Sequence, residues 1–379
     1  INMYELEGLY DYFFGYMVPS TGYLDKFALH YYLPGLILLF PNCYEPEKVP
    51  PYKDQPKLAR IFSEAEGWGD ILRIGDVASL NRHMAAGQGP ELIQIAEALH
   101  EKKIAQIADE VTERHDDVRV VFIAGPSSSG KTTFTQRLYI QLRVNGLRPV
   151  TISLDDYFVN REDTPLNEEG EYDFESLEAL DLELFNHHLV ELIQGMEVEV
   201  PVYDFNRGRR IWVGRRLQVE PGQPILVEGI HGLNPALAPD VPEEKRFCIY
   251  ISALTQLSID RHNRIPTTDT RLLRRIIRDY KYRSASPEDT ILRWASVRHG
   301  EECNIFPYQE EADVMFNSAL VYELAAMKEE AEALLATIPP LSPAHLRAKM
   351  LRRFLGYFHP LAEREYIPRN SILREFIGD

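Results

Sequence analysis

Val118-Arg-Val-Val-Phe-Ile-Ala-Gly-Pro-Ser-Ser-Ser-Gly-Lys-Thr-Thr133 is the stretch whose reading decides the fold. Its first half, rich in β-branched residues (Val118, Val120, Val121, Ile123), has the composition and length of a strand buried in a parallel sheet. It leads into Gly125-x-x-x-x-Gly130-Lys131-Thr132, after which Phe134, Leu138, Ile140 and Leu142 recur in a helical pattern. Strand, glycine-rich turn and helix in that order are the context a phosphate-binding loop requires. Gly125 and Gly130 permit backbone conformations that turn successive N–H groups into one concavity, and a helix from Lys131 adds the positive end of its dipole. Gly125, Pro126, Ser127, Ser128, Ser129, Gly130, Lys131, Thr132 and Thr133 are therefore expected to hold ATP. Lys131 would reach the β- and γ-phosphates, and the Thr132 hydroxyl would ligate Mg²⁺. The competing reading is a Gly/Ser-rich turn without a ligand.

Working outward, 379 residues with 45% hydrophobic content allow a large core and two domains. A formal net charge of −17 disfavours a broad nucleic-acid surface, which needs clustered Lys and Arg. Cys43, Cys248 and Cys303 are widely spaced and form no Cys-x-x-Cys pattern. That excludes a disulfide framework and a structural zinc site and fits a reducing cytoplasm. Leu36–Phe40, the longest apolar run, is far short of the roughly 20 residues that span a bilayer and is expected to be a buried strand. No secretory signal is visible, and a start at Ile1 leaves room for a longer natural chain.

Residues 1 to about 85, rich in Tyr and Phe and punctuated by turn residues, are expected to form a small α+β unit of short strands. His30 there reads as a packed histidine more than a ligand. Apolar residues from Leu92 to Val111 recur at helical spacing and predict a long helix connecting two domains, with a boundary near 115. Past the glycine-rich loop, strands are expected over 149–154, 224–230, 247–251 and 312–316, alternating with helices, which makes a parallel sheet of five with right-handed crossovers. Ligands sit beyond the carboxyl ends of such strands. Asp155 and Asp156 end the second strand, and Glu228 ends the third in chain order. A carboxylate at either end suits proton acceptance from a hydroxyl or support of Mg²⁺, so Asp155, Glu228 and Thr132 are the candidate metal residues. For Asp156 an Asx turn or helix cap remains open. Tyr172-Asp173-Phe174 could present its acid to a sugar diol, and a hairpin across Asn206-Arg-Gly208 could put Tyr203, Arg209 and Arg210 in a pocket or be merely structural. Arg271, Arg274, Arg275 and Arg278 share one face of a helix expected to start at Thr268-Asp269-Thr270. That stripe reads either as a lid over transferring phosphate, at about 260–285, or as a surface salt-bridge helix. The tail from 339 reads as a helical appendage for packing or oligomerisation, with Asn370 or Ser371 capping a last short helix.

In the order Gly125–Thr132, Ser153-Leu-Asp155, Tyr172-Asp-Phe174, Pro201-Val-Tyr-Asp-Phe205, Val227-Glu-Gly229, Asp269-Thr-Arg271 with Arg274-Arg275, and Ala312-Asp-Val314, the chain resembles the uridine kinase and phosphoribulokinase family of P-loop kinases. The likeness is strongest to uridine kinase. It implies an NMP-kinase-like α/β fold with an Arg-rich lid over 116–338. It implies Asp155 as general base, Lys131, Arg271, Arg274 and Arg275 as phosphate-handling catalytic residues, and Asp173, Tyr203, Arg210 and Arg271 around the acceptor. One departure is Gly208, at a place where uridine–cytidine kinases carry a pyrimidine-contacting histidine. Residues 1–115 resemble part of the amino-terminal region of threonyl-tRNA synthetase, through the pattern Gly15–Tyr32 and the helix at Ala98–Lys103. The expectation is phosphorylation of a nucleoside 5′-hydroxyl, uridine or cytidine leading, by a cytoplasmic enzyme for which a homo-oligomer is one option. Another small alcohol such as a sugar phosphate, or an RNA-associated P-loop ATPase, is the alternative.

Overall fold

The computed structural model describes residues 3–13, 17–33, 35–42, 45–167, 170–255 and 257–378. Gly15 and Cys43, both used in reading the sequence, lie outside them.

The chain opens with two antiparallel hairpins, β1 (Met3–Leu6) with β2 (Leu9–Tyr12) and β3 (Ala28–Tyr32) with β4 (Gly35–Leu39). The run over 36–40 is a strand as expected, but not a buried one: Leu36, Leu38 and Phe40 are all more than half exposed. Its alternate residues find no second layer to cover them. His30 stacks on Tyr52 with ring centroids 3.6 Å apart, the packed histidine that the sequence indicated. Helices α1 (Pro56–Leu72), α2 (Val77–Ala85) and α3 (Gly89–Glu113) follow. Asp76 caps α2, accepting from the Ser79 N–H at 2.7 Å while the Ser79 hydroxyl returns to the Asp76 N–H.

The main unit runs β5 (Val120–Ala124), α4 (Lys131–Val144), β6 (Val150–Ser153), α5 (Leu182–Ile193), then the ribbon strands β7 (Val198–Glu199), β8 (Val202–Asp204), β9 (Arg209–Ile211) and β10 (Arg216–Leu217). It continues with β11 (Ile225–Glu228), β12 (Arg246–Ser252), α6 (Thr267–Tyr282), α7 (Pro287–Asn304), β13 (Val314–Asn317) and α8 (Glu323–Ala336), and closes with α9 (His345–Leu355) and α10 (Arg374–Ile377). Five strands form one sheet in the order β13-β12-β5-β11-β6, every pairing parallel. β5 lies at its centre with all five residues buried, as a strand covered on both faces must be. On one face Phe134 and Leu138 of α4, Ile104 and Ile107 of α3, and Ile276 and Ile277 of α6 belong to one continuous apolar cluster; on the other, Phe185, Leu189 and Leu192 of α5 pack with Phe122, Ile152 and Val227.

Two expectations change here. The long helix expected as a connector over 90–115 is α3, and it is built into the core, lying along α4. The helix expected to be capped by Thr268–Thr270 is α6, which starts one residue earlier behind Pro266 with no side-chain cap; Asp269 instead pairs with Arg347.

Candidate active site

Every strand of a parallel sheet ends at the same edge, so loops after β5, β6 and β11 meet there. The turn after β5 must pass under β12. A Cβ on Gly125 would collide with the Ile251 carbonyl oxygen, so only glycine fits. Ser128 holds φ 59, an uncommon left-handed conformation for a non-glycine residue. The loop carbonyls turn outward onto cations: Ser127 O accepts from Arg271 Nε and Nη2 at 3.0 and 2.8 Å, and Ser128 O accepts from Arg274 Nη1 at 3.3 Å. With these carbonyls held behind it, the loop can direct N–H groups forward as an anion nest needs, the Ser127 N–H excepted because Glu301 accepts it from behind. Lys131 Nζ donates to the carbonyls of Gly125 and Pro126 at 2.9 and 3.1 Å. Burial lowers its pKa, opposed by the charges of Glu228 and Asp155.

In front of the loop is a cavity of about 270 Å³ whose walls include Lys131, Thr132, Asp155, Glu228, Arg278, Arg283 and Glu375. Glu228 Oε1 accepts from the Ser153 hydroxyl at 2.9 Å and from the Thr132 hydroxyl at 3.4 Å, so the ends of β6, β11 and the start of α4 share one oxygen. Burial, with Asp155 adding to it, pushes the Glu228 carboxyl up to about 7. Asp155 sits on the short helical turn Leu154–Tyr157 with Arg283 3.8 Å away. The Arg283 guanidinium lies 4.4 Å over the Phe205 ring, and burial brings its pKa down to about 10. Thr132, Asp155 and Glu228 are all hard oxygen donors on one small cavity, a donor set that fits Mg²⁺ held partly through water. Asp156, by contrast, turns away and accepts from the Tyr203 N–H at 3.2 Å and from Arg215 Nη1 at 3.1 Å. It anchors the ribbon, a structural role that is neither the Asx turn nor the helix cap left open by the sequence.

The arginine stripe divides. Arg271 and Arg274 are 1% and 0% exposed, paired with Glu301 of α7 and Glu323 of α8, and neither lines the cavity. They brace the phosphate loop from behind, in place of the lid and acceptor roles expected for them. Arg275 donates to the Ser127 hydroxyl at 2.8 Å and pairs with Asp279. Only Arg278 of the four lines the cavity, joined by Arg283, which the sequence reading did not select. α6 itself buries Leu272, Leu273, Ile276 and Ile277, so it is a core helix and not a mobile flap.

The residues expected around an acceptor lie on the neighbouring ribbon and loop, outside that cavity wall. Asp173 accepts from the Glu175 N–H at 3.0 Å. Tyr203 is buried between Phe158 and Phe205, centroids 5.6 and 5.1 Å away, and pairs across the ribbon with Arg210. Arg210 is held by Asp181 at 2.8 Å. Gly208 has φ +66, and a Cβ there would sit 2.7 Å from Arg161 Nε, so a histidine would need both strain and a displaced arginine.

Sequence reasoning also missed Glu375, whose Oε2 accepts from the Thr133 N–H at 3.1 Å and the Thr133 hydroxyl at 3.0 Å. Glu301, which accepts from the Ser127 N–H at 3.0 Å, was missed as well. No local pattern marks either. Among the described residues no cluster of three or more His, Cys, Asp or Glu could hold a metal, and no helix is long and apolar enough to cross a membrane.

Residues 120–325 match the model of the phosphoribulokinase / uridine kinase family. The chain is 27% identical over 197 residues to a uridine kinase of Deinococcus deserti, covering 52% of this chain and 86% of that protein. It is 30% identical over 197 residues to a uridine kinase of Staphylococcus epidermidis, with the same coverage of 52% and 86%. Among solved structures, a D-glycerate 3-kinase from Cryptococcus neoformans aligns with a TM-score of 0.32 and 16% identity, over 70% of this chain and 89% of that one.

Proposed function

The chain belongs to the phosphoribulokinase / uridine kinase family, and on that premise we propose that it uses ATP and Mg²⁺ to phosphorylate the 5′-hydroxyl of a nucleoside, uridine or cytidine first. The observation that carries this reading is the convergence of Lys131, Thr132, Asp155 and Glu228 on one cavity in front of the phosphate loop. Bound Mg²⁺–ATP supplies the transferable phosphoryl group and the charge that draws it away from ADP. The loop N–H groups and Lys131 hold the phosphates, with Lys131 leaving its two carbonyl partners to do so. Thr132 and Glu228 hold the ion from the loop side. Asp155 accepts the proton of the acceptor hydroxyl, with the Arg283 guanidinium 3.8 Å away. Arg278 and Arg283 place guanidinium charge where the transferring group becomes most negative. Arg271, Arg274 and Arg275 act through the loop they brace. Asp173, Tyr203 and Arg210 are the candidates for orienting the sugar and base.

Gly208 supports a second reading, phosphorylation of a different small alcohol, because the pressed Arg161 side chain occupies the space beside it. ADP release from Mg²⁺–ATP across a panel of nucleosides and sugar alcohols, with a no-acceptor control, separates the two. Release that depends on uridine or cytidine is expected. Dependence on a sugar alcohol would move the substrate, and release indifferent to every acceptor would sink the kinase reading in favour of a P-loop ATPase.

A further inference from the structure

Thr133 is the third residue of α4, and its N–H is one of the unpaired donors that a helix offers at its positive end. In a strand–loop–helix phosphate site those donors are the ones a polyphosphate takes. Here one of them is already taken. Glu375, 242 residues further on, places one carboxylate oxygen 3.1 Å from that nitrogen and 3.0 Å from the Thr133 hydroxyl, and its side chain forms part of the cavity wall.

The contact is not a casual surface one. Ile372, Leu373 and Phe376, on either side of Glu375, are fully buried. Ile372 presses on the loop so closely that any side chain at Gly130 would strike it. The Arg274 guanidinium, which braces the loop at Ser128, lies 4.9 Å over the Phe376 ring, and Lys281 of α6 donates to the Ile377 carbonyl. A carboxylate fixed in this way has a high effective concentration at the loop without any external ligand. It also carries the sign of the ligand it faces. Two anions cannot share one N–H, and a phosphate brought beside a fixed carboxylate meets repulsion in a partly dry site.

We propose that the C-terminal segment is an autoinhibitory element, in which Glu375 competes with a phosphate of the nucleotide for the start of α4. This rests on the reading of the loop as a nucleotide site. Nucleotide binding then requires the Glu375 side chain to leave Thr133, and the apparent affinity is lowered by the fraction of molecules in which it stays.

The test is equilibrium titration of Mg²⁺–ATP, by calorimetry, into the full chain and into its Glu375→Gln and Glu375→Ala variants, alongside thermal melting of each without nucleotide. The inference expects opposite movements. Loss of a charge-assisted bond lowers the melting temperature of the nucleotide-free protein, while affinity for Mg²⁺–ATP rises at least about fivefold in both variants. Affinity unchanged with a lowered melting temperature would make Glu375 a structural tie and overturn the proposal. Affinity that falls would make it a helper of the metal or phosphates and overturn it too. If a variant proves unfolded, the other decides, since glutamine keeps the shape of the side chain and alanine removes it. Absence of Mg²⁺–ATP binding in all three folded proteins would defeat the nucleotide-site reading itself, and this inference with it.

Discussion

Asp155 is the residue on which turnover should depend most sharply, because it stands just past a strand end on the cavity wall with only Arg283 beside it at 3.8 Å, whereas Glu228 is tied to Ser153 and Thr132. Asp155→Asn keeps size and hydrogen bonding but cannot accept a proton. Turnover is expected to fall at least about a hundredfold with Mg²⁺–ATP affinity nearly unchanged; near-normal turnover would remove Asp155 as the base. Glu228 invites a pH experiment. Its folded pKa of about 7 lies above the ordinary carboxyl value of 4.5, so the folded protein holds this proton more tightly than the unfolded chain does. The stabilisation it brings is complete below about pH 4.5 and is lost as pH rises through 7. Wild type should therefore lose more melting temperature between pH 5 and 8 than Glu228→Gln does, and equal losses would show that the carboxyl does not titrate in that window. Mg²⁺ needs the charged form and should bind better as pH passes 7. Asp155, Lys131, Thr132 and Glu228 were legible because each follows directly from a buried strand, and a parallel sheet gathers strand ends. Glu375 was not, since no periodicity or spacing connects it to Thr133 across 242 residues.

The element that sequence reasoning placed least well is α6. Helical spacing correctly gathered its arginines on a face, but spacing cannot show what stands opposite. The answer depends on Glu301 and Glu323, delivered by α7 and α8 to positions where both are buried. A guanidinium that would be a lid group in water becomes a brace when two carboxylates meet it inside the protein. The two ends of α6 should accordingly respond differently. Glu301→Gln leaves Arg271 buried with its charge uncompensated, and a loss of about 3–5 kcal/mol is expected in denaturant unfolding. Arg278→Ala, at the cavity, removes one of the arginines paired with buried Asp279 and should cost about 1–3 kcal/mol, less than Glu301→Gln, while lowering turnover about tenfold or more. If instead the Glu301 variant kept its stability and lost turnover alone, Arg271 would belong with the reacting groups and not behind them.

At the scale of the molecule, the parallel sheet of five strands and the helices that flank it followed from a pattern of short apolar runs alternating with helical ones; the strand order did not. The relation of residues 1–115 to that sheet did not, because an amphipathic helix looks the same whether its apolar stripe joins a neighbouring domain or fills a core. α3 does the second. Leu92, Ile93, Ile104, Ile107 and Val111 are buried in the cluster that contains Val121, Ile123 and Phe134 beside the phosphate loop. Glu97 ties it further, pairing with buried Arg137 of α4 at 3.2 Å and accepting from the Tyr322 hydroxyl at 2.7 Å. At about 1.5–3 kcal/mol for each fully buried large aliphatic side chain, removing α3 takes away as much as the whole 5–15 kcal/mol by which a typical domain is stable. It also strands Arg137 without Glu97 or Glu101. A chain beginning at 116, the domain boundary expected from the sequence, is expected to show no cooperative melting. A chain beginning at Pro56, which omits only the exposed hairpins β1–β4, should melt within a few degrees of the full protein. Cooperative melting of the shorter chain near the full-length temperature would make α3 a connector after all. The expected result makes α3 part of the core on which α4 and the phosphate loop rest, with Glu97 and Arg137 as the tie between them.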